Sequence, residues 1–238
     1  GPEPTDLASL PLPEASWSRS LEDLHPPRAV VWSPTLGYAP VDAEVRAVCE
    51  AAVRRLEEAG TAVEVVDRVF DEDPVLDWLR LSLVYCLRIL EPFHGTEVWD
   101  RLDPGLAGML EWARTSVSAV DLVRAIDACH ALNLALVDVF HRAPVLLTPT
   151  VAGQAPRVGA QAQGTIDGVP DPNWVRLTYP FNMTRSPAGT VCAGFTSDGL
   201  PVGLQVVGPQ HADVAVLRTL ALLEDILDLD PVAPFGLG

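Results

Sequence analysis

The chain has 238 residues, 48% of them hydrophobic, which suffices for one substantial domain with a two- or three-layer core. Its formal net charge is −16, and all 16 basic residues are Arg, scattered singly apart from Arg54-Arg55, so no basic patch exists to neutralise a phosphate backbone and no nucleic-acid partner is expected. No apolar run approaches the roughly 20 residues needed to span a bilayer, so the sequence reads as soluble, with no membrane partner.

Residues 1–27 are rich in Pro and Ser and read as an extended connector, leaving 28–238 for the folded part. Ala29-Val30-Val31-Trp32 fits a buried strand. Asp42 caps a helix with the stripe Val45, Val48, Cys49, Ala52 and Leu56, ending at Gly60. Thr61 to Val66 reads as a second strand, and strand, helix and strand in that order are the parts of a parallel crossover.

The stretch from Asp73 to Arg142 is helical by pattern, with breaks near Pro92-Phe93-His94-Gly95 and at Asp103-Pro104-Gly105. Its best helix starts near Ser118, with Asp121 completing a capping box, and carries Leu122, Ile126, Cys129, Leu136 and Phe140 on one side. Val145-Leu146-Leu147 is a further buried strand. Residues 151–173 are rich in Gly, Ala, Gln and Pro without periodicity, and a loop of that length is usually functional or mobile. Thr190–Phe195 and Val202–Val207 flank Ser197-Asp198-Gly199, a turn signal that suggests an antiparallel hairpin or at least adjacent strands. A last helix, from about Ala212 to Leu227, presents Val216, Leu217, Leu220, Leu223 and Leu227. Strands alternating with helices make this an α/β chain.

The residues alone show no catalytic centre. A Ser nucleophile needs a base within reach, commonly on a Gly turn such as G-x-S-x-G, and none is present; Ser186 lies between Arg185 and Pro187 with no neighbouring His or Lys. Cys192, between Val191 and Ala193, reads as a packed strand residue. Cys49, Cys86, Cys129 and Cys192 form no C-x-x-C pair and read as buried, reduced thiols, which with the lack of a visible signal peptide points to the cytoplasm. The chain begins at Gly1 rather than Met, so an original amino terminus is open to having been lost. His130 and His141 share one helix side but stand about 16 Å apart along it, too far to share a metal ion. Asp71-Asp73 and Glu224-Asp225 read as solvated carboxylates. No metal site and no cofactor is expected.

The last third carries a specific pattern. Pro180-Phe181-Asn182-Met183-Thr184, Ser186-Pro187-Ala188, Gly194-Phe195 and the run Asp198-Gly199-Leu200-Pro201-Val202-Gly203-Leu204-Gln205-Val206-Val207-Gly208 resemble the carboxy-terminal region of amidase-signature enzymes. Gly1 to Asp6, Val41 to Val66 and Leu146 to Gly159 agree in order with upstream parts of that family. The resemblance implies part of an α/β/α fold with a mixed central sheet. It also implies hydrolysis of a small-molecule carboxylic amide to acid and amine by a Ser-Ser-Lys mechanism, whose base is a Lys kept neutral by burial and whose oxyanion is held by preorganised N–H donors. Those elements lie before the point in the family at which this chain begins, and the chain contains no Lys.

By resemblance the substrate contacts fall at Thr150, Val151, Trp174, Val175 and Thr178. Glutamine-dependent amidotransferase members carry an acidic residue near Val175, so an apolar Val175 favours a general amidase. The expected partner is the missing amino-terminal catalytic half, and this chain alone is expected to be inactive. A noncatalytic scaffold or binding subunit derived from an amidase is the alternative.

Overall fold

The computed structural model describes residues 1–6, 8–13, 16–22, 24–159 and 163–229. Strand β1 (Ala29–Trp32) leads through α1 (Ala43–Glu58) to β2 (Ala62–Val65), and β1 and β2 pair in parallel with Ala29 opposite Ala62. The Asp42 carboxylate starts α1 by accepting from the N–H groups of Glu44 and Val45 at 3.0 and 3.3 Å, satisfying donors that the first helical turn leaves open. Its other oxygen accepts from the Asp167 N–H at 2.9 Å, while the Ala43 N–H donates to the Asp167 carboxylate at 2.8 Å. Asp42→Ala is therefore expected to cost about 2 kcal/mol, the upper end for an N-cap. Asn, whose one oxygen can still accept from the Glu44 and Val45 N–H groups but whose amide cannot accept from the Asp167 N–H, should recover only part of that in a urea melt.

The helical middle comprises α2 (Val75–Leu90), α3 (Pro104–Ser116) and α4 (Ala119–Arg142), with short 3-10 turns at Glu91–Phe93 and Trp99–Arg101 where Pro92 and Gly95 were expected to interrupt it. Ser118 and Asp121 form the reciprocal capping box at the head of α4. β3 (Leu146–Pro149) then runs parallel to β1. The expected structureless loop 151–173 instead contains a two-stranded hairpin, β4 (Gly164–Ile166) and β5 (Val169–Asp171). Its turn residues Asp167 and Gly168 have φ of 49° and 76°, the left-handed pair that matches strand twist in a two-residue hairpin. α5 (Tyr179–Thr184), β6 (Ala188–Phe195), β7 (Pro201–Val207) and α6 (Asp213–Leu227) complete the chain.

The main sheet is mixed, in the order β2-β1-β3-β7-β6, with β7 antiparallel to both neighbours and a bulge between Cys192 and Gly194. Period-two alternation splits its side chains between two cores. One face buries Val30, Trp32, Leu147, Leu204 and Val206 under α1 and α6. The other buries Val31, Leu146 and Val207 under α4 and α5. The fold is thus α/β with helices on both faces of a mixed sheet. A third, small cluster around Leu83, Leu110 and Ala113 joins α2 and α3.

Two expectations need correcting. Ile126 was placed on the inner stripe of α4, but Ala125, Leu136 and Val139 are the buried residues and Ile126 is 54% exposed. The apolar residues of α4 encircle too much of the helix for periodicity to choose the inner side. In α6, Thr219 and Leu222 join Val216 and Leu223 inside. Within residues 1–27, Arg19–Leu21 forms a 3-10 turn against α6, where Arg218 Nε donates to the Ser20 carbonyl at 2.7 Å. Among the described residues, no helix is long and apolar enough to cross a membrane.

Candidate functional site

The sheet register gathers hydroxyl and amide side chains into one row. Thr148 on β3 lies opposite Gln205 on β7, and Gln205 lies opposite Thr190 on β6. Ser33, just past β1, donates its N–H to the Leu147 carbonyl and continues the row on the other side of Thr148. These residues share the face of Val31, Leu146 and Val207 but sit nearer the end of β3 and the start of β7. The interior end is closed off: Ser33 and Thr148 are fully buried, and their hydroxyls have no hydrogen-bond partner among the described residues. Gln205 Nε2 donates to the Leu177 carbonyl at 3.3 Å.

Toward the outer strand the row becomes polar and open. Thr150 Oγ1 and Thr190 Oγ1 lie 2.5 Å apart, and Thr190 Oγ1 donates to the Leu204 carbonyl at 3.3 Å. The relay that satisfies both bonds runs from the Thr150 hydroxyl to Thr190 and on to Leu204. Gly203 makes this approach possible, because a Cβ there would sit 2.7 Å from both threonine hydroxyl oxygens.

Beside Gly203 lies a cavity of about 220 Å³ whose apolar lining includes Val45, Val151, Trp174, Leu200 and Val202. Trp174 is fixed at two points. Its carbonyl accepts from the Ala152 N–H at 2.7 Å, and its indole packs so closely on Gly164 that a Cβ there would overlap Trp174 Cγ. Of the residues expected to contact substrate, Val151 and Trp174 line this cavity, and Thr150 packs with Thr190 against Gly203, which also lines it. Val175 and Thr178 do not line it: the Thr178 hydroxyl and N–H both donate to the Val175 carbonyl, at 2.9 and 3.1 Å, shaping the turn into α5.

That turn rests on a network that sequence reasoning passed over. Arg176, only 12% exposed in its side chain, pairs with Asp171 at 2.5 Å and Asp73 at 3.4 Å, and its Nε donates to the Asn173 carbonyl at 3.0 Å. The Tyr38 hydroxyl donates to the Arg176 carbonyl at 2.9 Å, and burial pushes that phenol well above its ordinary range. Tyr179 stacks on Trp78 with ring centroids 5.6 Å apart. Asp73, expected to be a solvated carboxylate, is instead partly buried, and burial raises its carboxyl above the ordinary value despite Arg176. Asp71, Glu224 and Asp225 are exposed, as expected.

Chemically, the assembled groups bind and orient. Burial pushes the Cys49 thiol up to about 12, and its Sγ lies 3.6 Å from the Gly203 carbonyl, so it is a packed, neutral thiol. Cys86, expected to be buried, is exposed on the solvent side of α2, and Cys129 and Cys192 are only half-buried. Cys192 Sγ lies 3.5 Å from the Gly194 carbonyl, and the Ser186 hydroxyl pairs with Thr184 at 2.9 Å. Neither contact supplies a base. Among the described residues no group of three His, Cys, Asp or Glu is placed to hold a metal ion.

Thr148, Thr190, Gly203 and Gln205 were not among the residues expected to contact substrate, although Gly203 and Gln205 lie in the run that carries the resemblance. The signal for them was the period-two alternation of a hairpin whose pairing register the turn alone does not set, since a one-residue slip would turn Thr190 and Gln205 to the opposite face.

Comparison with known proteins agrees with this architecture. Residues 106–217 match the Amidase family model. An acylamidase of Rhodococcus erythropolis is 29% identical over 230 residues, which are 95% of this chain and 48% of that protein. A putative amidase of Mycobacterium tuberculosis is 32% identical over 200 residues, covering 81% of this chain and 41% of the relative. Among solved structures, a bacterial aryl acylamidase of the amidase-signature family superposes with a TM-score of 0.83 at 22% identity, covering 98% of this chain and 52% of that one. A 6-aminohexanoate cyclic dimer hydrolase gives 0.73 at 19% identity, covering 96% and 51%. The chain spans about half the length, or less, of the curated relatives it matches. It belongs to the amidase-signature family, aligning with the carboxy-terminal portion of these relatives.

Proposed function

We propose that this chain supplies the substrate wall of an amide-hydrolysing enzyme whose Ser-Ser-Lys centre resides in an amino-terminal part. The observation that carries the reading is the Thr150–Thr190 hydroxyl pair packed against Gly203, a residue that also lines the Trp174 cavity, with Thr190 on β6, an outermost strand among the described residues. It has the polar and apolar surfaces that recognise an amide and its substituent, with no nucleophile and base beside them. The absence of Lys from all 238 residues supports the division of labour, because a family-type centre takes its proton through a neutral Lys.

In this reading the substrate is a small carboxylic amide. A Ser of the amino-terminal part attacks the carbonyl carbon, the amine leaves with the transferred proton, and water then releases the acid. Thr150, Val151 and Trp174 contact the substrate directly, while Val175 and Thr178 hold the turn that positions Trp174. The four free cysteines fit a reducing compartment, and the proposed location is the cytoplasm.

The test is release of aniline from an acylated anilide. The chain alone should release none above buffer. Joined to an amino-terminal amidase part it should turn over, and Ser→Ala at that part's nucleophile should abolish the reaction. Hydrolysis by this chain alone, or electrophile labelling of Cys192 or Ser186 that stops turnover, would overturn the proposal. Ligand protection at Trp174 without turnover in the joined protein would favour a noncatalytic binding subunit.

A further inference from the structure

The outward face of α4 carries an apolar pattern that no element among the described residues covers. Val120, Val123, Ile126, Leu134 and Val137 are 59, 56, 54, 57 and 46% exposed. At 100° per residue they occupy one side of the helix, opposite the buried Ala125, Leu136 and Val139. An apolar stripe of this length turned to solvent marks an interaction surface.

The spacing identifies its partner. Val120, Val123 and Ile126 lie 8.5, 5.5 and 2.5 positions before the midpoint between Ala128 and Cys129. Ala131, Leu134 and Val137 lie 2.5, 5.5 and 8.5 positions after it. The pattern is a palindrome, so it is complementary to itself when two copies meet antiparallel about a two-fold axis through that midpoint. Such a contact is isologous and closes as a dimer. The layers across the seam are then Val120 on Val137 and Val123 on Leu134, with Ile126 and Ala131 flanking it on either side. Nearest the axis, Asp127 and His130, both exposed, fall opposite each other and give each carboxylate an imidazole donor. A parallel pairing would set Asp127 against Asp127 and His130 against His130. We infer that α4 is a self-association surface, through which two copies of this chain pack antiparallel as a dimer. This inference stands apart from the amidase reading and uses none of its residues.

Light scattering on the purified chain, 25.5 kDa as a monomer, should return twice that mass at micromolar concentration. Leu134→Glu sets a carboxylate against Val123 in two layers and should raise the dissociation constant at least tenfold with the circular dichroism spectrum unchanged. Asp127→His alone should weaken the dimer, and the swap Asp127→His with His130→Asp should restore it, because only this register places 127 against 130. In a Cys86→Ser background, mixed Val120→Cys and Val137→Cys chains should form an intermolecular disulfide, while neither does so by itself. A chain that stays monomeric and uncrosslinked overturns the inference and leaves this face to a different partner. Self-crosslinking of Val120→Cys overturns it too, because that outcome belongs to a parallel pair.

Discussion

Arg176→Met is expected to lower the free energy of unfolding by about 3 kcal/mol, because removing one member of a mostly buried ion pair leaves its partners without compensation. Arg176 is the sole basic side chain paired with Asp73 and Asp171 among the described residues, and the side chains of the three are 12, 24 and 21% exposed. Its backbone carbonyl remains the acceptor for Tyr38, so the loss is specific to the guanidinium. Asp73→Asn provides the contrast. It keeps an acceptor for the Val75 N–H, at 3.0 Å in the parent, and leaves Arg176 paired with Asp171, so its effect should stay within about 1 kcal/mol.

The pH dependence has a definite sign. Because the folded-state carboxyl of Asp73 lies above its ordinary 3.8, the folded protein holds that proton more readily than the unfolded chain. Its contribution to stability is full below 3.8 and is lost as pH rises through the raised folded value. Asp73→Asn should flatten this part of the profile. Urea midpoints for the two variants at several pH values check both statements; equal losses for Arg176→Met and Asp73→Asn would refute the assignment.

Gly203→Ala should cost about 2 kcal/mol, within the usual range for overpacking a close-packed interior. The added Cβ would meet two hydroxyl oxygens at 2.7 Å, one on Thr150 at the end of β3 and one on edge strand β6. The threonines must then part, and the wall between the hydroxyl row and the Trp174 cavity shifts with them. In the proposed two-part enzyme, kcat/KM should fall at least tenfold. Gly203→Ala combined with Thr190→Ala should regain part of the stability, because one of the two opposing oxygens is gone. Neighbouring substitutions that share a contact are not additive, and the sign of the deviation is the readout.

Much of the fold was legible wherever a local rule and the global arrangement agree. Asp42 as a cap, Ser118 with Asp121 as a capping box, and the β6–β7 hairpin all follow from short-range chemistry that the tertiary structure leaves intact. The β4–β5 hairpin was missed although its signal is local: Thr165-Ile166, Asp167-Gly168 and Val169 are a two-residue turn between strand formers, hidden in a stretch whose Gly and Pro content dominated the reading. Ile126 shows the opposite difficulty. Its neighbours on α4 are apolar on most sides, and only the position of the sheet decides which face turns inward. Asp73 and Asp171, which share Arg176, are 98 positions apart in the chain, and no spacing rule joins them. The candidate site mixes these cases. Thr150, Val151 and Trp174 came from resemblance, whereas Thr190 and Gln205 depend on a strand register that side-chain identities alone leave free.

The reciprocal bonds between Asp42 and Asp167 bear on motion. The helix start accepts from the hairpin turn, and the hairpin turn accepts from the helix start, so neither can swing away without unpairing the other. Lifting the segment that carries the β4–β5 hairpin would unpair the Ala43 N–H of α1 and the Asp167 N–H at the same moment, while Asp42 keeps the Glu44 and Val45 N–H groups capped. The two events share one free-energy cost and one rate, which turns a long connector into part of the rigid frame. In the proposed two-part enzyme, small molecules reaching the Thr150–Thr190 pair would then exchange past the outer edge of β6, at rates set by the part that covers it.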